Sequence, residues 1–346
     1  MRNVRQPTMT PSAGAWKFRF GADISASDGT AGKLIAVAVV ADKQGQTLTY
    51  LGIRVRLFSR HHYFVPVEVV TGADTERVTL NIALAEIEKW PLAPSGSGIV
   101  LSRSTRMNTI DARDSRDARD SGDAAGKQLG RLVQITVDPV THALRSFVVN
   151  RGWPGEVLVP VGAVTNVAAR QVTAHLGNRR PDDMPYRPDE QLRQDIYDRL
   201  FDHAPLRLDL AAIEIHPLDG VVQLRGHVSN DLLRRMAEDQ IQGITGMSEL
   251  HNDLVADNDL AATVSMALAL DSRTAGQHIG VYPRLGEIHL RGSVGTRAAY
   301  EGASNVAGAV PAVTRIMNEL RIDPDANEIS VLAGVTNRED LVPGGR

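Results

Sequence analysis

Residues Gly220 to Asp257 recur, changed but without a gap, as Gly286 to Asp323, a shift of 66 residues (286 − 220). A period this long specifies duplicated supersecondary units, not a heptad or a short solenoid. Leu224-Arg225-Gly226 returns as Leu290-Arg291-Gly292, Val228 as Val294, Asn252 as Asn318 and Leu254 as Leu320. Upstream, Ile213-Glu214-Ile215-His216-Pro217 answers Ile279-Gly280-Val281-Tyr282-Pro283 in the same register. The chain must build one small fold twice. The repeat holds few reactive side chains, which points to binding or scaffolding.

The pattern inside the repeat is mixed α and β. Leu192, Ile196 and Leu200 fall four apart on one helix face, as do Leu260, Val264 and Leu268. Alternation follows, with Val222, Leu224, Gly226 and Val228 facing inward and Gln223, Arg225 and His227 outward. In the second copy Ile288, Leu290, Gly292 and Val294 alternate with His289, Arg291 and Ser293. Such a sheet has one packed and one wet face. Ser229-Asn230-Asp231 and Gly295-Thr296 read as helix starts. Leu232, Met236 and Ile244, or Ala299, Ala303, Val306 and Val310, supply the apolar stripe. Leu250 to Leu254 and Ile316 to Leu320 give the last strands.

The order helix, strand, strand, helix, strand, with Leu-x-Gly-x-Val and a later apolar-x-Asn-x-Leu, resembles the BON domain of bacterial envelope-stress and pore-associated proteins. The likeness covers 187–257 and 258–323. It implies non-catalytic binding, often of phospholipid membranes or other envelope components.

The first half reads as short β runs, from Leu34 to Val40, Leu48 to Leu57, Tyr63 to Val70 and Val78 to Ile82. A second series spans Leu132 to Val137, Leu144 to Val149, Val157 to Val161, Val164 to Val167 and Val172 to Leu176. The two series align: Gly32-Lys33-Leu34 matches Gly130-Arg131-Leu132, Asp42 matches Asp138 after a two-residue insertion, and Val65-Pro66 matches Val159-Pro160. Gly-Lys/Arg-Leu, a β run ending in Asp, a second run and then Val-Pro is similar to the PRC-barrel of photosynthetic reaction-centre H subunits and of a ribosome-maturation factor. That resemblance implies a small β-barrel used as an adaptor surface.

The expected fold class is therefore α+β and multidomain, two PRC-like barrels followed by two αββαβ BON-like domains. The expected boundaries are a flexible start at 1–14, barrels at 15–90 and 126–180, a charged linker at 91–125 and a Pro-rich linker at 181–188. BON-like domains follow at 189–257 and 258–323, with a flexible tail at 324–346.

Charge is polarised along the chain. Residues 1–188 carry 24 Lys+Arg against 17 Asp+Glu, and residues 189–323 carry 12 against 20. The repeats are thus poor candidates for nonspecific attraction to anionic lipid or nucleic acid. With no cysteine in the chain, disulfides and thiolate metal sites are excluded. No segment reaches the length of a membrane span, and the first residues contain no apolar run of the signal-peptide kind.

Enzyme constellations are absent from the pattern. Gly122-Asp123-Ala124-Ala125-Gly126-Lys127-Gln128 is one residue short of a phosphate loop and has Gln where Ser or Thr must hold magnesium. His61-His62 cannot chelate jointly on a strand, because neighbours point to opposite faces. The aspartates from Asp111 to Asp123 are neutralised by Arg113, Arg116 and Arg119 and read as solvated chain. No catalytic, cofactor or metal residue is expected.

Arg225, Arg291 and His227, on the wet face, are the candidate partner-binding residues, with Arg suited to a phosphate or carboxylate fork. Gly220, Gly226, Asn252, Gly286, Gly292 and Asn318 read as structural. The reading is a non-enzymatic, bacterial, cytoplasmic scaffold that binds protein partners or itself. One alternative is a peripheral phospholipid-binding stress protein at the inner membrane. Another is an adaptor for nucleic acid or the ribosome, for which few aromatic residues are available to stack on bases, so nucleic acid is disfavoured. No small-molecule substrate is expected.

Overall fold

The computed structural model describes residues 14–42, 45–55, 62–94, 96, 98–110, 127–152, 155–177 and 179–325. All but residues 14, 324 and 325 of the expected flexible ends 1–14 and 324–346, the Asp/Arg stretch 111–126 and His61 lie outside them. The chain divides into two compact units, residues 1–188 with 218–220, and residues 189–217 with 221–346.

The first unit holds strands β1 (Trp16–Arg19), β2 (Asp23–Ala26), β3 (Gly29–Asp42), β4 (Gly45–Arg54), β5 (Tyr63–Pro66), β6 (Val70–Ala73) and β7 (Arg77–Leu80), then a one-turn helix α1 (Leu84–Ile87). A second series follows as β8 (Ile99–Ser102), β9 (Arg106–Thr109), β10 (Lys127–Val137), β11 (Leu144–Asn150), β12 (Glu156–Pro160), β13 (Val164–Ala168) and β14 (Gln171–Ala174). They form two seven-stranded sheets. One runs β5-β4-β3-β2-β7-β6 with β8 added on β3, the other β12-β11-β10-β9-β14-β13 with β1 added on β10.

The additions are reciprocal. β1 precedes β2 by a three-residue turn yet pairs in the other copy's sheet, Phe18 opposite Ile135. β8 precedes β9 by the same interval and pairs back onto β3, Leu101 opposite Val37. Each leading strand therefore completes its sister. The turns match bond for bond: Ala22 N–H donates to Arg19 at 3.0 Å and Thr105 N–H to Ser102 at 2.9 Å. Phe18 and Leu101, both fully buried, carry each exchanged strand into one hydrophobic cluster that also takes in Leu34, Leu132 and Phe147.

The Gly-Lys/Arg-Leu motif has a steric cause. A Cβ on Gly32 would lie 2.1 Å from the Arg54 carbonyl oxygen, and one on Gly130 2.3 Å from that of Asn150. The long strand is crossed there by its partner's backbone. Val65-Pro66 and Val159-Pro160 end their strands alike, each proline at φ near −67° leading into a single 3-10 turn.

Three expectations change. Among the described residues no closed barrel is seen, because each sheet runs as an open path and β3 and β10 accept two strands end to end on one side. The 91–125 linker contains β8 and β9, and Lys127 pairs with Thr109, so 111–126 joins the two strands of a hairpin inside the second copy. The Pro-rich 181–188 segment lies along β12: Leu158 N–H donates to Met184 at 3.1 Å and Tyr186 N–H to Glu156 at 2.9 Å. Prolines are tolerated there because the strand is an edge. Pro91 covers β5 in the same way, accepting from Phe64 N–H at 2.9 Å.

In the second unit the first repeat comprises α2 (Asp189–Asp202), a one-turn helix α3 (Ala204–Arg207), β15 (Ile213–Leu218), β16 (Val221–Val228), α4 (Asp231–Ile241), β17 (Glu249–Asn252) and β18 (Val255–Ala256). The second comprises α5 (Asp257–Leu270), β19 (His278–Arg284), β20 (Glu287–Val294), α6 (Arg297–Gly308) and β21 (Arg315–Ile322). The sheets run β15-β16-β17 and β19-β20-β21, with the last strand parallel to the middle one. Both hairpins close on two residues of positive φ, Asp219-Gly220 and Leu285-Gly286, which matches the right-handed twist of the flanking strands.

Asn230 and Thr296 cap α4 and α6 as the sequence suggests, accepting from Leu233 N–H at 3.0 Å and Ala299 N–H at 3.1 Å. The cap at Asn230 sets the stripe of α4 on Leu233, Ala237 and Ile241, and Leu232, expected inside, is 66% exposed.

Two outcomes follow for the first unit. Insertion of a protease site at residues 95–97 of the full chain, with cleavage after folding, leaves fragments that co-elute on a sizing column, because each holds a strand of the other's sheet; clean separation contradicts the exchange. Replacing 111–126 by Asn-Gly keeps the fold and raises unfolding stability by about 1–2 kcal/mol through the shorter loop, read by urea titration.

Candidate functional site

The repeated polar residues serve the fold. Asn252 sits on β17 and donates through Nδ2 to the Arg234 carbonyl at 3.0 Å and to Glu238 at 3.3 Å, while its Oδ1 accepts from Leu254 N–H. Asn318 repeats the arrangement, donating to the Tyr300 carbonyl at 2.9 Å and to Ser304 Oγ at 2.7 Å and accepting from Leu320 N–H. Each Asn ties the last strand to the second helix of its own repeat.

Gly226 and Gly292 have φ of 102° and 126°, and a Cβ on either would lie 2.0 Å from a carbonyl oxygen, that of Ala212 or His278. The close approach is thus from backbone at the start of the neighbouring strand, β15 or β19.

Two buried carboxylates escaped the sequence reading. Asp209 accepts from Ser229 N–H at 2.6 Å and from its hydroxyl at 2.8 Å, holding the start of α4. In the second repeat Gln277 does this for Gly295 N–H at 2.8 Å. The pair is aligned by the 68-residue offset of the first helices (277 − 209 = 260 − 192), a signal the ungapped 66-residue repeat hides. Asp257, at the start of α5, accepts from Leu285 N–H at 2.7 Å and Gly286 N–H at 3.2 Å and so fixes the second hairpin turn.

The three candidate binding residues part company. His227 is only 9% exposed and donates Nε2–H to the Ala312 carbonyl at 2.7 Å. Its ring packs where a Cβ on Gly286 would come within 2.6 Å. It is a contact between the repeats and not a partner surface, because the second repeat's hairpin turn covers that end of β16. Arg291 is exposed on β20, donates Nε–H to Glu319 at 2.7 Å and lies 5.6 Å from the centre of the Tyr282 ring. The Arg291 hydrogen bond, then that of His289, holds the Glu319 carboxyl below its usual range. Arg225 is exposed at the equivalent place on β16.

Around these arginines each repeat presents an outer sheet face. In the second, the register sets Tyr282, His289 and Met317 in one row, with Arg284, Glu287 and Arg315 on one side of it and Gly280, Arg291 and Glu319 on the other. Tyr282 and Met317 are 54% and 41% exposed. Glu287 bridges Arg315 and His289. In the first repeat the corresponding face carries Glu214 paired to His216, Gln223 bonded to Asp253, and Glu249 paired to His251.

A different surface lies on α5, which has no charged residue from Leu260 to Leu270 and leaves Met266 and Leu270 67% and 80% exposed. The small residues of α6, Gly302, Ala303 and Ala307, are buried within their own repeat, Gly302 against Arg273. Among the described residues no group of three or more His, Asp or Glu gathers as a metal site.

Comparison with known proteins assigns this half of the chain. The BON domain family matches residues 188–258 and 256–324. Residues 188–324 are therefore two BON domains in tandem. No curated protein matches the chain. Two solved structures of CdsD, a structural protein of the type III secretion system of Chlamydia trachomatis, show a low likeness. One is 15% identical over 44% of this chain and 69% of that one at a TM-score of 0.32. The other, its C-terminal domain, is 13% identical over 42% and 70% at 0.31.

Replacing Gly292 by Ala is expected to cost about 2–4 kcal/mol through carbonyl overlap at positive φ, and Asn318→Ala about 1–2 kcal/mol through lost hydrogen bonds. Urea unfolding of the full chain checks both, and a Gly292→Ala protein as stable as the parent contradicts the close approach.

Proposed function

We propose that the chain is a non-enzymatic scaffold whose BON pair holds proteins together, a second copy of itself among them. The reading rests on one observation. Apart from the exposed Arg225 and Arg291, the residues that both repeats share are engaged in their own folds, whereas the outer sheet faces, where most other positions differ between the copies, display charged side chains and, in the second repeat, Tyr282 to solvent. Binding energy in such a surface comes from a few aromatic and arginine anchors, here Tyr282 and Arg291.

We place the protein in the cytoplasm or against the inner membrane, a reducing setting that suits a chain without cysteine. A phospholipid surface is the second reading, supported by the uncharged outer side of α5, whose exposed Met266 and Leu270 are the kind of side chains that enter the headgroup boundary.

Light scattering on the eluting full chain is expected to give a mass above one protomer that grows with concentration. Flotation with anionic and neutral vesicles separates the second reading: recovery with vesicles that is lost in Met266→Glu/Leu270→Glu supports lipid contact. A single-chain mass at every concentration, with vesicles bound, replaces the scaffold reading by the lipid one.

A further inference from the structure

The two outer sheet faces carry opposite charge. On the first BON domain Glu214, Glu249 and Asp253 stand against Arg225, a balance of −2 (1 − 3). On the second, Arg284, Arg291, Arg315 and Arg321 stand against Glu287 and Glu319, a balance of +2 (4 − 2). The inversion arises at equivalent positions. Glu249 becomes Arg315, Leu218 becomes Arg284 and Val255 becomes Arg321 at the 66-residue shift, while Leu224, Gly226, Val228, Asn252 and Leu254 recur unchanged. Duplication preserved the scaffold and inverted the surface.

We propose that the acidic face of the first BON domain in one copy docks on the basic face of the second BON domain in another copy. The proposal rests on the self-association reading above and specifies its surfaces. Such a contact is heterologous, since a pair keeps one basic face free on the first copy and one acidic face free on the second, so assembly continues until a ring closes or a filament grows. A three-stranded face spans about 10–15 Å across the strands and about 25 Å along them, small beside the roughly 800 Å² per partner of a standard stable interface. Affinity from apolar burial alone is therefore low. Charge pairing supplies the specificity and makes the association sensitive to salt.

The test uses the full chain and two double variants on exposed residues. Glu214→Arg/Glu249→Arg makes both faces basic, and Arg284→Glu/Arg321→Glu makes both faces acidic. Matching thermal melts establish that the variants fold. Sedimentation velocity of the parent protein is expected to show association in low salt that is lost at about 0.5 M salt, where screening acts within about 4 Å. Each variant alone is expected to associate at least about tenfold more weakly, and an equimolar mixture of the two to reassemble, because every face then meets one of opposite sign. If both variants associate as the parent does, the faces are wrong and self-association stands through another surface. A parent that sediments as a single chain in low salt overturns the docking and the self-association reading together. A mixture that stays apart overturns the pairing of these two faces.

Discussion

Unpaired backbone is the constraint on which the architecture turns. A unit of 60 to 80 residues buries only about 60% of its unfolded surface, and any sheet it forms ends in rows of free N–H and C=O groups. In the first unit each copy resolves this with its sister's leading strand, β1 on β10 and β8 on β3. Two further edges, β5 and β12, are covered by the Pro91 and Met184–Tyr186 segments. In the second unit β18, the connection between the repeats, pairs with β16. Segments that look like linkers in composition are thus the pieces that finish the sheets.

The repeats retain hydrogen bonds more faithfully than residue types. Asp209 and Gln277 differ in charge, yet each receives the N–H just before the cap of its helix. Glu238 and Ser304 differ in size, yet each accepts from the strand Asn. What is fixed is the buried donor, because an unsatisfied amide costs about 1–3 kcal/mol whatever the acceptor would have been.

This explains what was legible in the sequence. The gapless shift from Gly220 to Gly286 exposed the sheets, the caps at Asn230 and Thr296 and the structural role of Asn252 and Asn318, since all depend on local spacing. Strand exchange left no local trace. The run Trp16–Arg19 reads the same whichever sheet receives it, and Ile99–Ser102 is hidden behind the Pro- and Gly-rich stretch that precedes it. His227 was misplaced for the same reason. Alternation along β16 correctly puts it on the outer face, but periodicity within one repeat does not reveal that the other repeat's hairpin turn packs there. Met236 and Ile244 pack as expected, and on α4 only Leu232 gives way to Leu233, because the two are adjacent and the cap bond decides between them.

The contacts between the BON domains also bear on what they can do. The His227 bond to the Ala312 carbonyl and the Arg234 ion pair with Asp259 are directional links from the first domain to the second. With β18 joined to β16, they fix the orientation of one domain relative to the other, so the outer faces are held at a set angle and not on a flexible tether. A rigid pair loses little orientational freedom when one face is occupied. The burial of His227 therefore has a functional sense: in place of a partner it contacts the sister domain, and so holds Arg225 and Arg291 on two surfaces of constant geometry.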